Sequence, residues 1–270
     1  MFIETVEALS TGVSLLEISR GLFPTVKRFA KRLKEGKTAI AIVGAGGTGK
    51  TTLGKVFSGI ELSPSYQESL DIEEYKIDSD FNASLIVVPG QKPREDRWDE
   101  VLQTLVNGKI KLVIHVVSWG YHSLSENFNY SQHSLYQRGM SLEEFIEVYQ
   151  KNRLDRELQV LERKIKPYLS VAKQNKLAMI TLVTKQDLWW KKRYEVKNHY
   201  KNGDYNRIIQ ELKNKKGQDN FSHEYLSASL IIENFTSGAN ELLIPNSEGY
   251  GQRLQFDNMN KLMKTIENLV

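Results

Sequence analysis

The stretch TAIAIVGAGGTGKTT, residues 38–52, decides the fold of this chain. Its first six residues are apolar or β-branched, which predicts a buried strand. The remainder matches the pattern G-x-x-x-x-G-K-[ST], in which a glycine-rich turn points consecutive N–H groups inward and opens a helix. We therefore expect a strand–loop–helix unit that binds phosphate groups.

The residue types in this loop predict which atoms contact the phosphates. The start of the following helix presents free N–H donors and the positive end of its dipole. Lys50 reaches the β- and γ-phosphates as a point charge, and the Thr51 hydroxyl is a ligand for Mg²⁺. The residues expected to bind phosphate are Gly44, Ala45, Gly46, Gly47, Thr48, Gly49, Lys50, Thr51 and Thr52. The alternative is a glycine-rich turn with a chance lysine. A match to the pattern is expected by accident in about one chain of this length in a hundred.

Beyond this loop the sequence alternates between apolar β-prone runs and helical segments. Such alternation predicts an α/β fold, with a mostly parallel six-stranded sheet covered by helices on both faces. Helical periodicity covers residues 143–173, where Pro167 should kink or divide the helix. The further strands are expected at 74–77, 84–88, 111–117, 178–183 and 224–226. A β-hairpin is expected within 230–252, with arms at 230–232 and 242–244.

Composition excludes several classes of protein. The chain has 270 residues and no cysteine, which excludes thiol catalysis, Cys-ligated zinc and iron–sulfur clusters. Its net charge of +4 is too balanced to indicate a specific nucleic-acid partner. No apolar run approaches the roughly 18 residues of a membrane span. The N-terminus, MFIETVE, has acids where a secretory signal carries positive charge, so we expect a cytoplasmic protein.

Residues 1–36 are expected to form a separate unit, ahead of the domain at 37–270. Apolar residues recur there at steps of three and four, which predicts two amphipathic helices with a break near Pro24. Three interpretations of what this apolar stripe contacts stay open. It packs on its own domain or forms a homodimer, it docks on a protein effector or regulator, or it makes a peripheral membrane contact.

The stretch LVTKQD, residues 182–187, ends the predicted fifth strand. It resembles the guanine-specificity motif of Ras-like small GTPases, in the Thr-Lys-x-Asp form. The resemblance implies that Asp187 accepts hydrogen bonds from the N1–H and the amine of guanine, a donor pair that adenine lacks. It also implies that the stem of Lys185 lies over the purine and that Thr184 belongs to the site. Ser227-Ala228-Ser229 resembles the Ser-Ala-Lys loop of the same family, with Ser229 in place of the lysine.

The stretch VVPGQ, residues 87–91, resembles the Asp-x-x-Gly-Gln switch motif of that family. The resemblance implies that the Gly90 N–H binds the γ-phosphate and that Gln91 orients the attacking water, with Lys50 stabilising the developing charge. Val87 stands where the family has an aspartate that supports the Mg²⁺ site. We expect weaker metal binding, or a transfer of that task to another residue.

The stretch SPSY, residues 63–66, resembles the Pro-Thr of switch I in ADP-ribosylation-factor-like GTPases. The resemblance implies that Ser65 is a second hydroxyl ligand of Mg²⁺, and the alternative is a solvated loop serine. Aromatic residues crowd the loop 118–139, which is interpreted either as a nucleotide lid or partner surface or as a loop folded on itself.

Together these motifs imply a Ras-like GTPase domain that binds GTP or GDP with Mg²⁺. The function that they favour is a molecular switch with slow hydrolysis. Two alternatives stay open at this point. One is a pseudo-GTPase scaffold or assembly module that holds the nucleotide without hydrolysis, and the other is an ATPase of another phosphate-loop branch.

Overall fold

The computed structural model of the chain describes nine stretches of residues: 39–60, 71–76, 84–90, 96–123, 129–173, 176–230, 235–236, 242–243 and 252–270. The predicted N-terminal helices at 1–36 lie outside these stretches, as do the predicted site residues Ser65 and Gln91. The phosphate loop at 44–52 and both predicted base-binding segments, 184–187 and 227–229, lie within them.

Six strands form one sheet in the order β2-β3-β1-β4-β5-β6. Strand β2 runs antiparallel to β3, and the other neighbouring pairs are parallel. The strands are β1 Ala39–Val43, β2 Glu73–Lys76, β3 Ser84–Val87, β4 Ile110–Val117, β5 Leu177–Val183 and β6 Phe221–Ser227. The expected α/β fold with a mostly parallel six-stranded sheet is confirmed, and the strand order is the Ras-like one.

This strand order determines where a ligand can bind. The connection that leaves β1 leads to β2 and β3 on one side of it, and the connection that leaves β3 leads to β4 on its other side, so the two connections diverge at β1. In open parallel sheets a crevice forms at such a point, beyond the carboxyl ends of the strands. The predicted motifs at 44–52, 88–90, 184–187 and 227–229 all follow strand ends at this edge.

Helices cover both faces of the sheet. They are α1 Lys50–Phe57, α2 Asp96–Val106, α3 Leu142–Gln159, α4 Lys166–Val171, α5 Gln186–Trp189, α6 Arg193–Asn202, α7 Asp204–Lys216 and α8 Gln252–Leu269. Alternate residues of β1 point to opposite faces. Ile40 and Ile42 pack with Leu53 and Met263 in one core, whereas Ala41 belongs to the other core. Each fully buried aliphatic side chain of this kind contributes about 1.5–3 kcal/mol.

The helix predicted over 143–173 changes its winding before it reaches the proline. The α-helix Leu142–Gln159 leads into a π-helical segment Val160–Ile165 and then into the α-helix Lys166–Val171. Pro167 lies in the first turn of α4, where its missing N–H leaves no helical bond unmade. The helix is therefore divided ahead of Pro167, at Val160–Ile165, and not at the proline itself.

The insert before the last helix contains two short strands, β7 Phe235–Thr236 and β8 Leu242–Leu243, which pair antiparallel. The predicted hairpin is therefore present, with its first arm several residues later in the chain than expected. Among the helices that the structure describes, none combines the length and the apolar character that crossing a membrane requires.

Candidate functional site

The loop between β1 and α1 has the backbone that phosphate binding requires. Gly44, Gly47 and Gly49 have φ values of 151°, 72° and 95°, a region that side chains disfavour. A Cβ on Gly44 would overlap the carbonyl of Val116 on β4, so the loop also lies too close to the sheet for a larger residue. Glycine is needed at all three positions for its backbone conformation, and at Gly44 and Gly47 also because a Cβ has no room.

Lys50 is folded back over this loop. Its Nζ donates to the Ala45 carbonyl at 2.9 Å, and the Thr48 hydroxyl donates to the same oxygen at 3.0 Å. Burial lowers the pKa of Lys50 to about 7, while the carboxylate of Glu73 acts in the opposite direction. A buried ammonium with one neutral acceptor is available for a stronger anionic partner.

The turn after β3 closes the loop from the other side. A Cβ on Gly90 would lie 2.5 Å from the Gly46 nitrogen and 2.6 Å from its Cα. The turn is held in place by Trp98, a fully buried residue whose Nε1 donates to the Pro89 carbonyl at 2.5 Å. The structure therefore brings Gly90 to the phosphate loop, as the motif predicts, and Gln91 follows it outside the described residues.

Thr51, the predicted metal ligand, lies beside an acidic residue that the sequence did not single out. Its hydroxyl donates to the Glu73 carboxylate at 3.3 Å, and the Tyr75 hydroxyl donates to the same oxygen at 2.8 Å. The described residues contain no group of three or more metal-ligating acidic, His or Cys side chains. A cation at this point would depend on phosphate oxygens and water as well as on protein, which is usual for Mg²⁺.

The two predicted base-binding segments meet, although they lie about forty residues apart. The Ser229 hydroxyl donates to Asp187 Oδ1 at 2.6 Å, and the Asp187 N–H donates to that hydroxyl at 3.0 Å. The Gln186 N–H donates to the Ala228 carbonyl at 3.3 Å. Ser229 stands where the resembling family has a lysine, and it is this residue that orients the carboxylate.

Burial dominates the electrostatics of these side chains. It raises the pKa of Asp187, against the hydrogen bond from Ser229 and the charge of Lys185. It lowers the pKa of Lys185 to about 8, against the charge of Asp187. Lys185 also has a left-handed backbone with φ of 56°, which is uncommon for a non-glycine residue. Such backbone strain is found mainly at functional sites.

Thr184 connects the base-binding segment to the phosphate loop. Its hydroxyl donates to the Thr48 carbonyl at 2.7 Å and contacts the Val117 carbonyl at 3.0 Å. Behind it, Trp189 Nε1 donates to the Thr184 carbonyl at 2.7 Å, and this tryptophan is buried. Thr48 and Thr184 lie 136 positions apart in the chain and are joined directly by this hydrogen bond. The bond fixes the distance between the phosphate loop and the predicted base-binding segment.

No protein-family model matches the chain, and no curated protein sequence matches it. Among solved structures, the small COPII coat GTPase Sar1 from Encephalitozoon cuniculi, in complex with GDP, is 13% identical over 95% of this chain and 93% of that one, with a TM-score of 0.42. Toc33 from Arabidopsis thaliana, in complex with GDP and Mg²⁺, is 10% identical over 95% of each chain, with a TM-score of 0.47. The mammalian SRP receptor is 16% identical over 86% of this chain and 100% of that one, with a TM-score of 0.41.

Because these TM-scores are below 0.5, the fold assignment rests on the chain itself. In the chain itself, a phosphate loop follows the central strand of a sheet whose order is β2-β3-β1-β4-β5-β6, with an antiparallel edge strand. The chain has a Ras-like fold of the phosphate-loop class.

On this Ras-like fold, the loop that follows β4 adds a wall that the sequence did not predict. The Ser123 hydroxyl donates to the Gly46 carbonyl at 3.3 Å, and the Ser123 N–H donates to the Gly47 carbonyl at 3.4 Å. On the base side, Lys185 Nζ donates to the Tyr121 carbonyl at 2.5 Å. Residues 118–123, here called the β4 loop, therefore bridge the phosphate and base segments.

The β4 loop is held by Glu157, a buried carboxylate of α3. Its Oε1 accepts from the N–H groups of Ser118 at 2.9 Å and Gly120 at 3.2 Å, and from His122 Nε2 at 2.6 Å. Its Oε2 accepts from the Tyr200 hydroxyl. A carboxylate this deep is stable only when its lone pairs are satisfied, and here four donors do so. For its first residues, these contacts favour the interpretation of loop 118–139 as a nucleotide lid or partner surface, which stays a prediction.

Further along this loop, aromatic rings pack on one another. Tyr130 contacts Tyr136 edge-on at 5.6 Å and Phe145 of α3 at 5.5 Å, centroid to centroid. His133 contacts both Phe145 and Tyr149 at 5.5 and 5.3 Å. This second part of the loop folds on its own aromatics, and its segment 124–128 lies outside the described residues.

Buried histidines make the domain sensitive to acid. Burial lowers the pKa of His115 to about 3, that of His223 to about 4, and that of His122 as well. His115 contacts the Tyr205 hydroxyl at 2.7 Å and is a core residue. Because each folded-state pKa lies below the unfolded value of about 6.5, their stability contribution is complete above that pH and is lost as the pH falls.

We expect the free energy of unfolding to fall between pH 6.5 and pH 4.5. Each buried histidine takes up a proton only in the unfolded chain, which costs up to about 1.4 kcal/mol per pH unit. Urea unfolding across this range measures the slope. His223→Gln should reduce the number of protons taken up on unfolding by about one, because the half-buried His223 has its Nε2 at 2.8 Å from the Thr181 hydroxyl and its pKa is lowered to about 4. An unchanged slope in this variant would contradict the assignment.

Proposed function

We propose that this chain binds guanine nucleotides and acts as a nucleotide-dependent molecular switch with slow GTP hydrolysis. The observation that carries the proposal is the pair of contacts at Asp187 and Thr184. Ser229 orients the Asp187 carboxylate, and Thr184 ties that segment to the phosphate loop at Thr48. A carboxylate fixed at a set distance from a phosphate loop is what recognition of a guanine nucleotide requires.

The proposed contacts with the nucleotide follow from this arrangement. The N–H groups of residues 44–52 bind the phosphates, and the Lys50 ammonium exchanges the Ala45 carbonyl for the β- and γ-phosphate oxygens. The Lys185 stem covers the purine, and Asp187 accepts from its N1–H and amine. The backbone of 227–229 is proposed to lie at the base, with the Ser229 N–H facing its O6, since the Ala228 N–H already donates to the Val183 carbonyl at 2.9 Å.

The proposed hydrolysis is in-line attack on the γ-phosphate by a water that Gln91 orients. The Gly90 N–H and the Lys50 ammonium stabilise charge that develops on the phosphoryl oxygens. Support comes from the turn at 88–90, which Trp98 holds against Gly46. Mg²⁺ supplies further neutralisation when it is bound, with Thr51 and Ser65 as its proposed hydroxyl ligands. Because Val87 brings no carboxylate, we expect slow intrinsic turnover.

Competition for a fluorescent guanine nucleotide tests the base preference. We expect GDP to displace mant-GDP at a concentration at least about 100-fold lower than ADP, since adenine leaves the buried Asp187 carboxylate without its donors. Guanine nucleotide should also be released when the purified protein is denatured and its supernatant is chromatographed. Equal displacement by ADP, or an adenine nucleotide in the supernatant, would favour the ATPase alternative.

Single-turnover conversion of bound GTP then separates the switch from the scaffold. A slow but measurable formation of GDP is the result that the switch predicts. Retention of intact GTP over days would favour the pseudo-GTPase scaffold or assembly module, on the same nucleotide site.

The proposed partners are a protein effector or regulator that contacts the predicted helices at 1–36 or the loop 118–139. A homodimer and a peripheral contact with a membrane remain predictions for the same segments, and so does the cytoplasmic location. The switch mechanism favours the loop, because its first residues contact the phosphate loop and would respond to the bound nucleotide.

A further inference from the structure

The antiparallel edge strand carries a carboxylate beside the position of the missing switch aspartate. Val87 is a fully buried apolar residue at the end of β3, where the resembling family has its acidic residue. The residue paired with Val87 across the β2–β3 ladder is Glu73. The register of the sheet therefore places a carboxylate on the strand next to the position that lacks one.

The Glu73 side chain points toward α1 and reaches the start of that helix. Tyr75 lies on the same face of β2, two residues on, and its ring packs so closely on Gly54 that a Cβ there would be 2.7 Å from it. Thr51 is three residues before Gly54 and so lies on the same face of α1. Because Glu73 and Tyr75 share a face of β2, and Thr51 and Gly54 share a face of α1, Glu73 meets Thr51, with 3.3 Å between Glu73 Oε2 and Thr51 Oγ1.

The hydrogen-bond direction at Thr51 leaves its oxygen available to a cation. The Thr51 hydroxyl donates its only proton to Glu73, so both lone pairs of that oxygen remain available as acceptors. Tyr75 donates to the same Glu73 oxygen at 2.8 Å and holds the carboxylate in place. Negative charge, a fixed carboxylate and an accessible hydroxyl oxygen together suit a hard cation such as Mg²⁺.

We propose that Glu73 supplies the carboxylate of the Mg²⁺ site, replacing from β2 the acidic group that β3 lacks at Val87. The inference rests on the proposed binding of guanine nucleotide, whose phosphates complete the site. Glu73 orients the Thr51 hydroxyl and adds the negative charge that makes the cation bind tightly. It is a positioning and binding residue for the metal.

The test is the Mg²⁺ dependence of mant-GDP release from the full chain. Glu73→Gln should raise the Mg²⁺ concentration that gives half-maximal slowing of release by at least about tenfold, since it removes the charge at constant shape. Affinity for mant-GDP in EDTA should stay within about threefold of wild type. The matched control is Glu74→Gln, the adjacent and exposed glutamate of β2, which should leave the midpoint unchanged.

The outcomes are distinguishable. An unchanged midpoint in Glu73→Gln, or an equal rise in both variants, would overturn the assignment of Glu73 and leave the nucleotide proposal intact. A wild-type chain that binds no guanine nucleotide, with or without Mg²⁺, would overturn the proposed function and this inference together. Binding in EDTA by Glu73→Gln shows that the variant is folded, so that a raised midpoint supports the proposal.

Discussion

Asp187→Asn is expected to change the preferred base from guanine to xanthine, with a loss of GDP affinity of about a thousandfold. A carboxylate accepts from both the N1–H and the amine of guanine, whereas an asparagine amide offers one acceptor and one donor. The donor meets the guanine amine unfavourably but matches the 2-oxo group of xanthine. Competition of XDP and GDP for a fluorescent nucleotide measures the exchange.

The size of this effect follows from the burial of Asp187. The residue is 2% exposed, so a mismatched group there has no water to bind and bears its full desolvation cost. Asparagine retains an oxygen that can accept from Ser229, which keeps the side chain in place. Because burial raises the pKa of Asp187 and opposes its charge, the ligand-free variant should unfold at no lower temperature than wild type.

A matched control for this substitution is Asp219→Asn. Asp219 is exposed in the turn before β6, at the end of that strand away from Ser227. The control should leave both base preference and affinity unchanged. A variant of Asp187 that keeps GDP affinity within about threefold would show that the base is read elsewhere, and the proposed guanine specificity would fail.

The sequence predicts those parts of the site whose residues are neighbours in the chain. The phosphate loop is one: strand, glycines, lysine and helix are contiguous, so local backbone preference determines their geometry. The predicted base-binding segment 184–187 is also contiguous in the chain. It directly follows β5, so it lies at the edge of the sheet where the parallel strands end. In the sequence, Ser229 is only a departure from a motif, and its structural role is clear from the contact with Asp187.

Contacts between residues far apart in the chain leave no pattern in the sequence, because they depend on strand register and on how the elements pack. The position of Glu73 opposite Val87 depends on strand register, and its reach to Thr51 depends on the close approach of Tyr75 to Gly54. A one-residue change of register would turn Glu73 to the other face. Glu157 likewise contacts the β4 loop 35 to 39 positions away, and its spacing within α3 does not indicate this contact.

Glu157→Ala is expected to destabilise the domain by about 3–5 kcal/mol, because it breaks a buried charged network at its centre. Burial alone would raise the pKa of Glu157, but the hydrogen bonds from His122, Tyr200 and Ser118 outweigh it, and the pKa lies below its ordinary value. The side chain is thus an anion at neutral pH. Burial lowers the pKa of His122, so that histidine is a neutral donor.

Removal of this carboxylate leaves four buried donors without an acceptor. Trp119 and Ser123 both have φ of 49°, and relaxation of this strain, about 1–2 kcal/mol for each residue at most, would offset only part of the loss. Urea unfolding at pH 7 measures the loss. The control Glu147→Ala, an exposed glutamate of the same helix, should change stability by no more than about 0.5 kcal/mol.

Glu157→Gln separates the effect on the site from the effect on folding. It preserves the shape and one acceptor, so we expect a smaller loss of about 1–3 kcal/mol and a folded domain at low temperature. Since Ser123 contacts Gly46 and Gly47 through the β4 loop, mant-GDP should dissociate at least about tenfold faster from this variant. If Glu157→Gln is measurably destabilised but releases mant-GDP at the wild-type rate, then the β4 loop is structural and takes no part in holding the nucleotide.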